Sequence, residues 1–365
     1  MKIMKAIKFK TLLLLVVFGI AINTSVRAQN DKVEKKYHKE YSVTANSNLY
    51  LENKYGDIDV RNWDKNQVTI DVVITVKHHD RERADKLLSF LDVEFSQEGD
   101  EIKAVTRIDS KFSKSNWSVF NNESKELSID YTVNMPTGMD LELRNKYGDA
   151  FINELSGHVN IYVKYGYLKV NKLLRDKTKP CNEIYIGYSK AEVTEVNWLK
   201  LDMSYSRIEF ETSKALMVMS KYSKLYVNDS RSIVADSKYD TYHIGEVDNF
   251  VFTGAYGTLK FDQVKKTLKL DMKYTGCNVD YIPSGFEKID IENRYGGIKL
   301  GIDSNASYKI DGYAEYAKIH IPSGSKLSRI EENTKLTING LVGTDPNTSS
   351  VVKINTMYGS VHLDD

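Results

Sequence analysis

Twelve of the chain's 24 tyrosines open the same short phrase: Tyr, a small residue, any residue, then an apolar–any–apolar triplet. They are Tyr55, Tyr147, Tyr165, Tyr188, Tyr205, Tyr222, Tyr239, Tyr256, Tyr274, Tyr295, Tyr316 and Tyr358. From Tyr188 to Tyr256 they recur every 17 residues, and the interval then drifts to 18 and 21. A fixed period of this size marks a chain built from one supersecondary unit that stacks on copies of itself.

Aligned on these tyrosines, the sequence falls into columns. Three residues after Tyr stand Ile58, Leu168, Ile208, Leu225 and Leu259, and five after stand Val60, Val170, Phe210, Val227 and Phe261. The column between them is mostly polar, with Asp59, Lys169, Glu192, Glu209, His243, Lys260, His320 and His362. Period-two alternation of this kind is a half-buried strand. A second strand precedes each Tyr, with apolar residues such as Leu199, Leu216 and Ile233 six before it and Leu201, Val218 and Ala235 four before it. Asn182 and Gly312 are exceptions in these columns. The alternation changes phase between Tyr and the triplet, so the chain turns a corner there. The residue after Tyr is Gly, Ser, Thr, Ala or Asp, as a tight corner prefers.

One unit buries about four apolar side chains, worth roughly 6–12 kcal/mol, while fixing its backbone costs about 17–34 kcal/mol. The units must therefore stack. A hexapeptide left-handed β-helix needs an apolar residue every six positions, which this chain lacks. The expectation is an all-β, single-chain β-helix (a β-solenoid) of eleven or twelve coils, each of 17–21 residues, with an N-terminal β-rich cap. At the usual strand spacing it would be about 50–55 Å long.

The 92 residues between Tyr55 and Tyr147 break the repeat. They read as a strand at Val68–Val76, a helix near Asp80–Phe90 with Asp80 as N-cap, and strands at Leu91–Ser96, Glu101–Ile108 and Glu126–Met135. Gly99-Asp100 reads as a hairpin turn, and Ser110–Ser124 as a loop. Residues 29–136 then form the cap with the first repeat, and 137–321 the main repeats. Residues 322–365 form a C-terminal loop and last coil, with Leu336–Ile338 as a tyrosine-free strand.

Residues 1–28 read as a secretory signal peptide: Lys2, Lys5, Lys8 and Lys10, an apolar run from Leu12 to Ile22, then Val26 and Ala28 before a cut at Gln29. No later segment is apolar enough to span a membrane. Without residues 1–28 the chain carries 46 basic and 50 acidic residues, so it has no electrostatic footprint for nucleic acid. Cys181 and Cys277 lie in repeats about five apart, roughly 24 Å at the spacing of strands, too far for a disulfide. Both read as buried free thiols.

With the repeats in view, the chain resembles the putative-adhesin family of bacterial exported proteins, whose β-strand repeats carry a domain-of-unknown-function label. The resemblance rests on the segments Leu51–Val60, Leu143–Ile152, Ile291–Leu300 and Ile354–Leu363, each ending one strand and opening the next around Tyr-Gly, and on the link Leu155–Val159. It implies a β-helical envelope protein in the periplasm or on the surface of a Gram-negative bacterium, with no established catalytic residues. Ser206, Ser223, Asp240 and Thr275 depart from the family's Gly.

Three constellations are candidates for chemistry. The tyrosine column would place rings about 5 Å apart, either as a structural ladder or as a platform for sugars and other flat ligands; the ladder is the favoured reading. Glu192 and Glu209 share an outward column in consecutive units, at the carboxylate spacing a retaining glycosidase uses. Glu154, Glu195, Asp229 and Glu246 pose the same question one column further on. His243, His320 and His362 sit in non-adjacent units and do not converge on a metal, and His78-His79 lack further ligands at zinc spacing. No cofactor or metal is expected. The reading is a non-enzymatic exported envelope protein with an adhesin-like binding or scaffold surface, whose partner is an envelope component, a glycan or a protein. The alternatives are a β-helix glycosidase or lyase with Glu192 and Glu209 as its carboxylates, and a scaffold for a membrane or regulatory protein.

Overall fold

The computed structural model describes residues 32–112, 126–176, 179–323 and 325–363. The signal-peptide segment and most of the Ser110–Ser124 loop lie outside the described residues. The protein is all-β: its strands form one continuous hydrogen-bonded sheet, accompanied by the short helix Arg81–Leu88, whose N-cap is Asp80. No helix among the described residues is long and apolar enough to cross a membrane.

Most of that sheet is two parallel ladders. Strand segments that precede the tyrosines pair with one another, and those that follow the tyrosines pair likewise. Lys190–Ser204, Arg207–Lys221, Lys224–Lys238 and Thr241–Ala255 each run through both ladders, and between successive members of this set every paired residue meets the one 17 positions on, as in Leu199↔Leu216 and Ile208↔Leu225. The alternation read from the sequence sends one apolar set inward from each ladder, and the two sets meet in a single core. Phe250 from one ladder contacts Phe261 from the other edge-on at 4.7 Å.

The corner differs from the expectation. The tyrosine itself, and not the small residue after it, takes the left-handed conformation, with φ between 51° and 69° at all twelve. The small residue is small because backbones approach closely there. A Cβ on Gly148 would lie 2.0 Å from the Gly56 carbonyl oxygen. Where Ser replaces Gly, its hydroxyl bridges units: Ser206 Oγ accepts the Ser189 N–H at 3.1 Å and donates to the Ser204 carbonyl at 2.8 Å. Ser223 repeats this with Ser206 and Lys221.

Spatial order also departs from chain order at the C-terminal end. The last repeat does not follow its predecessor; Val351–Met357 lies between Lys288–Arg294 and Tyr308–Glu315, parallel to both. Apolar columns specify which face a strand buries but not which neighbour it takes, so this insertion is invisible to the period. Leu336–Ile338 is a strand as expected, within Lys335–Val342, but it runs antiparallel to Tyr308–Glu315 and carries Lys326–Glu332 on its outer side. At the other end Glu101–Ile108 closes one ladder and Glu126–Met135 the other. Lys32–Ser42 and Gln67–Lys77 extend that cap as antiparallel strands. Both cysteines are free; Cys277 is buried and Cys181 only half-buried, a departure from the expected burial.

Candidate binding surface

The twelve tyrosine rings form one unbroken stack, with centroids 4.7–5.3 Å apart and planes within 20° of parallel. The inserted Tyr358 sits between Tyr295 and Tyr316. Eleven of the rings are 42–55% exposed. Within the stack each ring face is covered by the next ring, so solvent meets ring edges. Along the interior of the column both faces of each ring are taken by neighbouring rings. Lys54 lies 4.7 Å from the Tyr55 ring centroid and Lys164 lies 5.1 Å from that of Tyr165, flanking the ridge with cations.

A second outward column holds a more site-like arrangement. Glu209, Tyr226, His243, Lys260 and Asn278 are successive register partners in five units, and they line a groove of about 620 Å³. The Arg207 guanidinium lies 4.1 Å from the Tyr226 ring centroid, and Tyr226 stacks on His243 at 4.9 Å. Asp262 and Asp280 also line it. Gly245 opens the floor: a Cβ there would lie 2.4 Å from the Asn228 carbonyl oxygen, so no side chain can fill the space. Burial first, then Lys260, Lys224 and Arg207, hold the His243 imidazole below its usual pKa. The groove thus offers a neutral imidazole, a phenol, a lysine and carboxylates within one shallow concavity, a mix suited to hydroxyl-rich ligands. His243 is legible in this column from the sequence, but the groove is not. The available signal was Gly245, a glycine in a column that elsewhere carries Asn228 and Asp262.

Glu192 and Glu209 are register partners, as their spacing requires. Glu209 is held by Arg207 at 2.7 Å, and it lines the groove while Glu192 does not. Tyr167 has its pKa pushed up to about 12, by burial first and then by its hydrogen bond to Glu192. Of the next column, Glu246 pairs with Lys265 at 2.6 Å and Glu195 with Lys172 at 3.9 Å; Asp229 is exposed on Lys224–Lys238 and Glu154 half-buried on Ala150–Leu155.

The histidine expectation needs correction. Strand insertion makes His320 and His362 neighbours, their rings stacked 4.1 Å apart. Even so, no group of three His, Cys, Asp or Glu among the described residues could hold a metal ion. His78 is buried, accepts the Asp80 N–H on Nδ1 at 3.0 Å and stacks on His79.

No family model matches the chain, and no curated protein matches it. Among solved structures, it is similar to a putative adhesin from Parabacteroides merdae at 9% identity, over 91% of this chain and 97% of that one, with a TM-score of 0.36. A putative lipid binding protein from Parabacteroides distasonis shares 13% identity over 91% and 97%, with a TM-score of 0.32. A putative adhesin from Bacteroides fragilis shares 10% over 90% and 96%, with a TM-score of 0.31.

Proposed function

We propose that the chain is an exported β-solenoid, cut before Gln29, that works in the bacterial envelope as a non-enzymatic, adhesin-like binding protein for a glycan. The constant offset of 17 residues between register partners supports the solenoid reading. The tyrosine column is its structural ladder, and the groove over Tyr226 and His243 is its binding site. One observation carries the functional reading: a groove of about 620 Å³ whose floor Gly245 keeps clear and whose walls alternate aromatic, cationic and carboxylate groups. The Arg207 contact supports a positioning role for Glu209 over an acid–base one, since a general acid must be free to exchange its proton with substrate.

The test is to present residues 29–365 with a panel of bacterial and host polysaccharides and to assay both retained protein and released product. Retention that weakens about tenfold or more, roughly 1.4 kcal/mol, in Tyr226→Ala and His243→Ala supports the groove. Product release that disappears in Glu192→Gln or Glu209→Gln overturns the non-enzymatic reading. No retention across the panel points instead to a protein partner.

A further inference from the structure

The C-terminal strand fills a slot in the stack. Val351–Met357 pairs on one side with Lys288–Arg294 and on the other with Lys309–Glu315, and Val361–His362 lies in the same way between Ile298–Lys299 and Ile319–His320. Val352, Ile354, Val361 and Leu363 are buried in the core. Thr356 Oγ1 accepts from Asn293 Nδ2 at 3.0 Å, and the Ser350 hydroxyl donates to the Phe286 carbonyl.

The chain makes residues 308–320 and the hairpin Lys326–Val342 before it makes the strand that lies beneath them. Without that strand, two parallel edges face each other across a gap of two strand spacings, about 9.5 Å, with unpaired N–H and C=O groups on both sides. The slot is selective. Gly359 stands where a Cβ would lie 2.1 Å from the Gly296 carbonyl oxygen, and the buried Thr356 hydroxyl meets Asn293. The occupant must therefore present inward apolar residues, a hydroxyl and a Tyr-Gly corner at fixed spacing, which is the sequence of this chain's own end.

We infer that the slot is a strand-acceptor site whose other occupant is the C-terminal strand of a second copy, so that two molecules join by exchanging residues 351–363. Exchange keeps every contact just described, because the donor sequence is identical. The link at 343–350 can reach about 26–29 Å when extended, enough to leave one molecule and enter another. A tether this short holds its own strand at an effective concentration in the millimolar range. Exchange is therefore set by the concentration at which folding takes place. The joined pair would carry two copies of the outer surface on one joint, a geometry that raises avidity for any extended ligand.

The test uses Asp290→Cys with Lys353→Cys, register partners within disulfide reach and outside the Asn293–Thr356 contact, in a 29–365 chain with Cys181→Ser and Cys277→Ala. The chain is refolded at concentrations from about 1 µM to about 1 mM, rising to the tether's effective concentration, then oxidised and run on a non-reducing gel. Exchange predicts a covalent dimer whose fraction rises at least tenfold across the series. A bond that stays within one chain at every concentration overturns it. Light scattering on the unmodified chain, refolded at the highest concentration, gives a second reading free of substitutions: a two-chain mass is expected, and a one-chain mass overturns the inference.

Discussion

At the scale of the residue, the tyrosine column joins a strained backbone to a favourable side-chain stack. A left-handed conformation costs an ordinary L-residue about 1–2 kcal/mol, and this protein places all twelve tyrosines there. Each interior ring gains two stacked partners, worth about 0.5–1.5 kcal/mol apiece beyond area burial. Each Tyr N–H also bonds the neighbouring unit, as in Tyr222 N to the Lys238 carbonyl at 3.0 Å. Asn tolerates left-handed φ and Val does not. Tyr222→Asn should therefore cost about 1–3 kcal/mol through lost stacking, and Tyr222→Val about 1–2 kcal/mol more. Urea melts that place the two variants together would refute the backbone part of this account. A second residue, Asp240, is buried and accepts from Ser220, Ser237 and the Ser223 N–H at 2.6–2.7 Å. Burial raises its pKa above the usual carboxylate value in spite of those donors. The native state then holds the proton more tightly than the unfolded chain does. This group's stabilising contribution is fully present below the unfolded value, about 4, and is lost as pH rises through the raised native value. Asp240→Asn should flatten that part of the fall in urea midpoint above pH 4, and an unchanged slope would remove Asp240 from the explanation.

At the scale of the element, two of the ways in which the corner is closed do not interchange. Some units carry Gly after Tyr and an Asn two before it, whose carboxamide donates to a corner carbonyl: Asn53 and Asn145 to Gly56 O, and Asn293 to Gly296 O. Others carry Ser with its bridging hydroxyl. Ser206→Ala leaves the buried Ser189 N–H without its acceptor and should cost about 1–3 kcal/mol. Gly148→Ser should also destabilise, by about 1–3 kcal/mol or more from overpacking, although Ser occupies the same column at Ser189, Ser206 and Ser223. A neutral Gly148→Ser, in thermal melts read beside Ser206→Ala, would sink the close-approach argument. The same contrast shows what could be read from residues alone. Inward columns, the 17-residue register, the cap strands and the helix start at Asp80 were legible, because polarity alternation and capping are local. The left-handed tyrosine was not, since a small residue beside it looks like the turn residue. Nor was the insertion of Val351–Met357, because Ile310, Val352 and Ile289 share one column and any order of the three satisfies the pattern. The groove was hidden for a third reason: Tyr226, His243 and Gly245 acquire meaning only when successive units are laid side by side.

At the scale of the whole molecule, the main problem is how a stack of open ladders ends. Among the described residues the outermost strands at the two ends each pair on one side only, Lys32–Ser42 with Gln67–Lys77 and Lys326–Glu332 with Lys335–Val342. Unpaired strand edges recruit other chains unless charge discourages them. Lys32, Lys35, Lys36 and Lys39 occupy the first edge, and Lys326, Arg329, Glu331 and Glu332 the second. On the second edge Ile330 is 56% exposed between Arg329 and Glu331, which pair with each other at 2.7 Å. An exposed ion pair of this kind adds at most about 1 kcal/mol to stability, so its value lies in keeping Ile330 from extending into an apolar run. Arg329→Val with Glu331→Val would create that run on a free edge of high β-propensity. The expected outcome is a melting temperature within a few degrees of the parent, together with light-scattering mass that climbs steadily with concentration. Edge pairing has no closing symmetry and grows beyond two chains, whereas strand exchange at the slot stops at two, so the masses separate the two processes. A double variant whose mass stays with the parent's at every concentration would mean that something other than these charges protects the end of the stack.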